Sequence, residues 1–418
     1  MSAPVTDLLE HTSEGGLPLE RSSGVLLHVS SLPGGRLGDE AYRFVDWLVA
    51  AGQSWWQVLP LHPPDALGSP YASVSAFAGW SGLLAEPAEP VSREDISDLS
   101  ARGGAWLEEW VAWAGEEERT TQARFQKEWI DLRAYANGRG VKLIGDLPLY
   151  VGGNSCDVDA HPELFDCSVT AGAAPDARHP NGQRWGMPVF CWDVIAEQGY
   201  DWWLRRLARE LELFDLLRID HFRGLVAFWV VPGDDPAQGY WRPGPGRELF
   251  AAAEQALGPP RLIVEDLGLI TPDVVALRDE LGLPGMSVFA REKEAFRRDT
   301  YCWATDTVLY TSTHDTDTLI GWWNSVGKEL TRDIVPGGSD HDVNWALVDY
   351  AFQTDNPLVV VQAQDLLGLG SEARMNAPGT TGPHNWSWRL EQPLDDELAR
   401  RLRQATARAG RLPADRSP

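Results

Sequence analysis

Eight short runs of β-branched and other apolar residues recur along the chain, each ending abruptly in a polar or charged residue. In order they are Gly24–Val29, Trp55–Leu61, Lys142–Val151, Leu216–Phe222, Arg261–Gly268, Met286–Ala290, Val308–Asp315 and Leu358–Asp365. Near-continuous apolar runs of this length suit strands buried on both faces of a parallel sheet. Between several of them the apolar positions switch to helical spacing, over Ala41–Ala51, over Tyr200–Phe214, and after Pro272, with Thr271 placed to cap that helix's first turn. Eight strands alternating with helices predict an α/β fold, a (β/α)8 TIM barrel. A doubly wound open sheet is the competing architecture, but no G-x-G-x-x-G follows any of the strands.

Two gaps between strands are too long for one helix. Residues 63–140 separate the second and third strands, and residues 152–215 the third and fourth; both read as insertions on the catalytic face. Within the first, Trp106, Trp110 and Trp113 share one helical face, which marks them as core. No internal repeat or low-complexity linker divides the chain. The expected organisation is a polar segment over 1–20, one barrel over 21–411, and a disordered tail over 412–418.

The formal net charge of −25 gives the chain no electrostatic reason to seek nucleic acid or an anionic membrane. The N-terminal stretch lacks the apolar core of a signal peptide, and no run is long enough to cross a bilayer. Cys156, Cys167, Cys191 and Cys302 are scattered without zinc-like spacing, as expected of reduced thiols in the cytoplasm. A barrel of this size can act as a monomer. Composition adds one pointer: there are 20 tryptophans, most of them explained by packing, although indoles also stack on the apolar faces of sugar rings.

In such a barrel the catalytic groups project from the C-terminal ends of the strands. Those ends carry Asp146, Arg218 with Asp220, Glu265 with Asp266, and His314 with Asp315. A single acid there is easily a cap; four strands delivering acids to one rim are not. Two chemistries use such a cluster. Paired carboxylates cleave and form glycosidic bonds, one attacking the anomeric carbon while the other protonates the leaving oxygen. Alternatively, three or more carboxylates hold Mg²⁺. Arg218 shares a strand face with Asp220 and can hold that acid ionised, whereas a cation there opposes a divalent metal. Arg218 therefore leans toward the first chemistry.

The segment RIDHFRG at Arg218–Gly224 closely resembles the fourth-strand motif of the amylomaltases, the 4-α-glucanotransferases of glycoside hydrolase family 77. Other segments agree, among them HVSSLPG at His28–Gly34, SPYASVSAFAG at Ser69–Gly79, GDLPLYV at Gly145–Val151, VEDLGLITPDV at Val264–Val274, YTSTHDTDT at Tyr310–Thr318 and LGLGSEARMN at Leu367–Asn376. The resemblance implies that Asp220 is the nucleophile, Glu265 the general acid/base and Asp315 the third acid, which stabilises the transition state. It places Arg218 and His314 beside that subsite, Tyr71 under the reacting glucose, and Trp185 on the acceptor side. Gln183 and Asn385 match polar groups that touch substrate. The substrates implied are α-1,4-glucans and maltooligosaccharides, and no metal or organic cofactor is implied. The chain departs from the family in three places: Ala177–Arg178 stand where an aromatic pair is usual, Met187 replaces Asn in GNP, and Thr316 replaces Asn in THDND. Thr300–Thr305 also replaces an LPHNYP segment, and the insertion after strand two is shorter than usual. A missing aromatic flap is expected to let water compete for the glucosyl-enzyme.

Overall fold

The computed structural model describes residues 19–414 apart from 87, 89, 177–178, 260, 292–305, 329–330 and 332–341. All eight expected strands form: β1 Ser22–Leu26, β2 Trp55–Gln57, β3 Lys142–Leu147, β4 Leu216–Ile219, β5 Leu262–Val264, β6 Gly285–Val288, β7 Thr307–Tyr310 and β8 Leu358–Gln362. They pair in parallel in the order β5-β4-β3-β2-β1-β8-β7-β6. The two ends of that sheet meet where Val264 N donates to Pro284 O at 3.0 Å, which brings β5 against β6 and gives a (β/α)8 barrel. Each strand is shorter than its apolar run. Pro148, which lacks an N–H, stops β3 after Leu147, and the acids beyond each strand lie on loops.

Alternation along the strands sorts side chains into two cores. Leu26, Trp55, Ile144, Leu216, Ile263, Val308, Tyr310, Leu358 and Val360 fill the barrel, whereas Val25, Trp56, Leu143, Leu217, Val264, Leu309, Val359 and Val361 face the surrounding helices. The same parity turns Asp146, Arg218, Asp220 and Glu265 inward, two residues above Ile144, Leu216, Arg218 and Ile263. Inward, Tyr310 Oη donates to Gln57 Oε1 at 2.9 Å and forms part of the floor beneath them.

The insertion after β2 holds helices Arg93–Ala114 and Glu118–Asn137. Ser92 and Asp95 form a reciprocal capping box at the start of the first. Trp106 and Trp110 are buried as expected, but Trp113 is 39% exposed, stacks on Trp110 and donates to Asp159 Oδ2. The kink of that helix at Gly104 (φ 52°) precedes all three tryptophans, and Trp113 stands in the last turn before the helix ends at Ala114. Thr271 stands at the N-cap of helix Pro272–Glu280 without making a side-chain cap; its hydroxyl instead accepts from Arg223 Nη1 at 3.0 Å.

The insertion after β3 does not stand alone. Its strands Thr170–Ala173 and Gln183–Arg184 join Ala227–Val231 and Tyr240–Pro243, from the β4–β5 connection, in one antiparallel sheet. This third elaboration, after β4, adds to the two gaps expected from strand spacing. At the C-terminal end, buried Arg411 donates to the carbonyls of Ser22, Phe352, Thr354 and Asn356, and Leu412 packs against Gly52. The folded body thus runs past Arg411. The segments 1–18, Ala177–Arg178, Thr300–Thr305 and 415–418, and Cys302, lie outside the described residues. Among the described residues no helix is long and apolar enough to cross a membrane.

Candidate active site

β3 and β4 run in register with Asp146 opposite Arg218. Arg218 Nη1 donates to Asp146 Oδ1 at 2.6 Å, and its Nη2 lies 3.0 Å from Asp220 Oδ1 and 3.5 Å from Glu265 Oε2. One guanidinium thus gathers acids from three neighbouring strand ends. Because both oxygens sit on one nitrogen, Asp220 and Glu265 are separated there by less than the two distances combined.

The backbone turns sharply just past the nucleophile candidate. His221 adopts the left-handed region (φ 50°), a conformation that non-glycine residues hold only when their surroundings require it. The turn aims the His221 N–H at Glu265 Oε2, 2.6 Å away. Burial raises the proton affinity of both Asp220 and Glu265 more than the Arg218 charge lowers it, and mutual repulsion adds to this for Asp220. Two such acids titrate as a pair that retains one proton well above the usual carboxylate range.

Asp315 is set in the opposite electrostatic state. Burial alone raises a carboxyl, but the neighbouring His314, a hydrogen bond from Asn376 Nδ2 at 2.7 Å and the charge of Arg218 hold Asp315 well below the usual carboxylate range. His314 Nε2 lies 3.4 Å from Asp315 Oδ2. The imidazole is raised in turn: burial opposes its charge, and Asp315 outweighs burial. One site thus holds a proton-sharing pair and a firmly ionised third acid.

Tyr71 forms one wall. Its hydroxyl donates to Asp146 Oδ2 at 2.7 Å, and its ring lies 4.8 Å from His314 in a stack and 5.5 Å from Trp386. Opposite, Trp185 meets the His221 ring edge-on at 4.7 Å and donates through Nε1 to Gln183 Oε1 at 3.1 Å. Asp146, Arg218, Asp220, Glu265, His314, Asp315 and Tyr71 are therefore brought together, with Trp185 and Gln183 beside them. Asn385 is different. Its amide closes its own loop, donating to Thr380 O and accepting from Ala377 N, and no bond joins it to the acids.

One expectation about the rim needs correction. Asp266, grouped with Glu265 as a rim acid, points into the barrel wall. There it pairs with Arg278 at 2.7 Å and accepts from Met286 N, which fastens β5 to β6. Neighbouring residues on a strand face opposite ways, so Glu265 and Asp266 could not both enter the site. Thr316, where Asn is usual, closes the turn instead: its hydroxyl accepts from Thr313 N at 2.8 Å. Sequence reasoning also missed Asn376, His221 and Trp386 as site residues. Asn376 and Trp386 fall in quoted motifs or beside them, but no periodicity reveals that a loop after β8 reaches Asp315.

Among the described residues no group of three or more His, Cys, Asp or Glu is arranged to hold a metal ion. The positive charge between the carboxylates comes from Arg218.

Comparison with known proteins adds to this geometry. Residues 27–98 and 112–394 match the model of glycoside hydrolase family 77, described as 4-alpha-glucanotransferase. A 4-alpha-glucanotransferase of Thermus thermophilus is 35% identical over 95% of this chain and 100% of its own length. A chloroplastic/amyloplastic 4-alpha-glucanotransferase of Solanum tuberosum is 34% identical over 94% of this chain and 87% of its own. Among solved structures, an amylomaltase from Streptococcus agalactiae in complex with acarbose superposes with a TM-score of 0.84. It is 28% identical and covers 94% of this chain and 100% of that one.

Proposed function

We propose, from the premise that this chain belongs to the 4-alpha-glucanotransferase family, glycoside hydrolase family 77, that Asp220, Glu265 and Asp315 carry out its reaction by retaining double displacement. The chain is an enzyme of that family's activity, and its substrates are α-glucans. The finer reading concerns how the residues act.

In the first half, the Asp220 carboxylate attacks the anomeric carbon of an α-1,4-linked glucose. The glycosidic C–O bond breaks, and the proton of the pair passes from Glu265 to the leaving 4-oxygen. The glucan segment is left as an ester on Asp220. In the second half, Glu265, now ionised, takes the proton of an acceptor's 4-hydroxyl. That oxygen attacks the anomeric carbon and Asp220 leaves. Asp315, held ionised by His314 and Asn376, stabilises the oxocarbenium-like charge in both halves. Tyr71 and Trp386 flank the reacting sugar, and Trp185 with Gln183 lies towards the acceptor.

The observation that carries this reading is the single Arg218 nitrogen at 3.0 Å from Asp220 and 3.5 Å from Glu265. It keeps those two carboxylate oxygens within the lower edge of the ~6.5–9.5 Å range that fits the water of an inverting pair, which favours the retaining arrangement. That the streptococcal amylomaltase was solved in complex with acarbose also supports the reading.

The test is incubation of the purified protein with maltotriose, followed by chromatography of the products. A ladder of longer maltooligosaccharides plus glucose is expected. Glucose and maltose alone would make the protein a hydrolase on the same scaffold, and no change would leave a glucan-binding barrel. Asp220→Asn is expected to abolish turnover in a protein that remains folded; full activity in that variant removes Asp220 from the mechanism.

A further inference from the structure

We propose that Asp365 is a positioning residue for the third acid: a buried carboxyl that clamps both feet of the loop carrying His314 and Asp315. The inference rests on the reading of Asp315 given above. Asp365 lies in the helical turn Ala363–Leu366 that follows β8, and it is fully buried. Its Oδ2 accepts from Thr311 Oγ1 and from Ser312 Oγ, each at 2.6 Å. Its Oδ1 accepts from Leu319 N at 2.8 Å. Thr311 and Ser312 are where the chain leaves β7, and Leu319 opens the helix Leu319–Trp322. The two oxygens therefore grip the loop at its entry and its exit, and residues 313–318 arch between them.

The bonds within the arch are local. Thr313 N donates to Thr316 Oγ1 and Thr316 N to Thr313 O, which shapes the turn but does not attach it to the barrel. Ser371 Oγ donates to Asp317 Oδ2 at 2.8 Å and Tyr71 stacks on His314, and two further attachments hold the arch at its top and its base. Asn376 holds the crest, donating through N to His314 O and through Nδ2 to Asp315 Oδ1, and Asp365 holds the feet. Asn344 Nδ2 donates to the Asp365 carbonyl at 2.8 Å, which steadies the clamp's own backbone. Among the described residues no Lys, Arg or His forms an ion pair with Asp365. A buried acid without a counter-charge is a costly way to fill a core, and the donors converging on it, Thr311 Oγ1, Leu319 N and a Ser312 hydroxyl that it shares with Gln362 Oε1, give it a reason to be there. An acid that works through a second residue in this way sets where charge is presented, and errors well below an ångström weaken transition-state stabilisation.

Asp365→Asn keeps the volume but presents N–H₂ or oxygen at each side where only acceptors now serve. With an aryl α-maltooligoside as activated donor and the active sites titrated, kcat per site is expected to fall about 30-fold, with KM changed less than about twofold. If Asp365 acts through Asp315, the same change in a D315N background adds less than about threefold. Equal losses in both backgrounds, or kcat per site within about twofold of wild type, overturn the clamp. Wild-type kcat in D315N alone overturns the reading of Asp315 instead. If D365N does not fold, Thr311→Val removes one donor and leaves the acid in place. It is expected to lower kcat about fivefold at unchanged KM, and an unchanged kcat there counts against the clamp.

Discussion

Asp146 and Arg218 stand opposite each other in register across β3 and β4, both turned into the barrel, and their side chains meet at 2.6 Å with neither more than 5% exposed. The pair orients the guanidinium so that its second terminal nitrogen reaches Asp220 and Glu265. Lysine in place of Arg218 keeps the charge but cannot span three carboxyls from one planar group. Arg218→Lys is expected to reduce kcat/KM by at least about 100-fold. Asp146→Asn removes one counter-charge of a buried cation that keeps Asp220, and is expected to destabilise the fold by less than the ~3–5 kcal/mol of a cation left wholly unpaired. Steady-state kinetics and denaturant midpoints check the two expectations, and near-wild-type values in either would mean that Arg218 is not the organiser of the site.

The barrel and its rim were legible in the sequence because burial on both strand faces leaves uninterrupted apolar runs, and because inward acids follow directly at their ends. All eight strands and the cluster around Arg218 came from that signal. What stayed hidden depends on partners far apart in the chain. Asp266 looks like Glu265 until the strand's alternation sends it to Arg278. The small sheet needs Thr170–Ala173 to find Ala227–Val231 across the intervening β4, and strands that short and mixed carry no readable period. Asn376 and Asp365 act through loops after β8 on a loop after β7, a contact that composition cannot foretell. Trp113 illustrates a local failure: its spacing was right for the core face, but it stands in the helix's last turn, where its ring stacks on Trp110 and stays partly exposed.

The shared proton of Asp220 and Glu265 has a kinetic signature. Both groups are raised by burial, so the pair keeps its last proton well above the usual carboxylate range. In the proposed mechanism activity needs that proton on Glu265. The kcat profile is therefore expected to fall on its alkaline side as the pair loses it, rather than staying flat from neutral upward. Glu265→Gln removes the titrating partner. With an aryl donor that needs no protonation, the variant is expected to keep its first half-reaction and lose the alkaline limb. An unchanged limb in that variant would assign it to some other group.

Asp157 gives a stability prediction that is independent of catalysis. This buried residue accepts from Ala76 N at 2.8 Å, and burial pushes its carboxyl up to about 6 despite the Ala76 bond and the nearby Arg206 and His62. A carboxyl raised in the folded state binds its proton more tightly there than in the unfolded chain. Its stabilising contribution is complete below about pH 4 and is lost as pH rises through about 6. The loss amounts to about 3 kcal/mol between those limits. Asp157→Asn keeps the acceptor for Ala76 and cannot titrate. Chemical denaturation across pH 4–7 is expected to show a shallower decline in the variant. A parallel decline in both proteins would place the pH dependence elsewhere.

Whether the glucosyl-enzyme meets a sugar or a water should turn on Trp185. Its ring stands edge-on to His221, the residue after the proposed nucleophile, and Gln183 fixes its Nε1. The chain reads Ala177 and Arg178 where the family resemblance leads one to expect an aromatic pair, and Trp185 is the ring expected to shield that side. Trp185→Ala opens this flank without touching the three acids. Donor cleavage is expected to change less than about threefold, while the hydrolysed share of the products rises about tenfold. Trp185→Phe, which retains a ring, should fall between the two. The ratio of free glucose to longer maltooligosaccharides formed from maltotriose measures the effect. If that ratio stays at the wild-type value in Trp185→Ala, acceptor choice is set by contacts further out along the glucan.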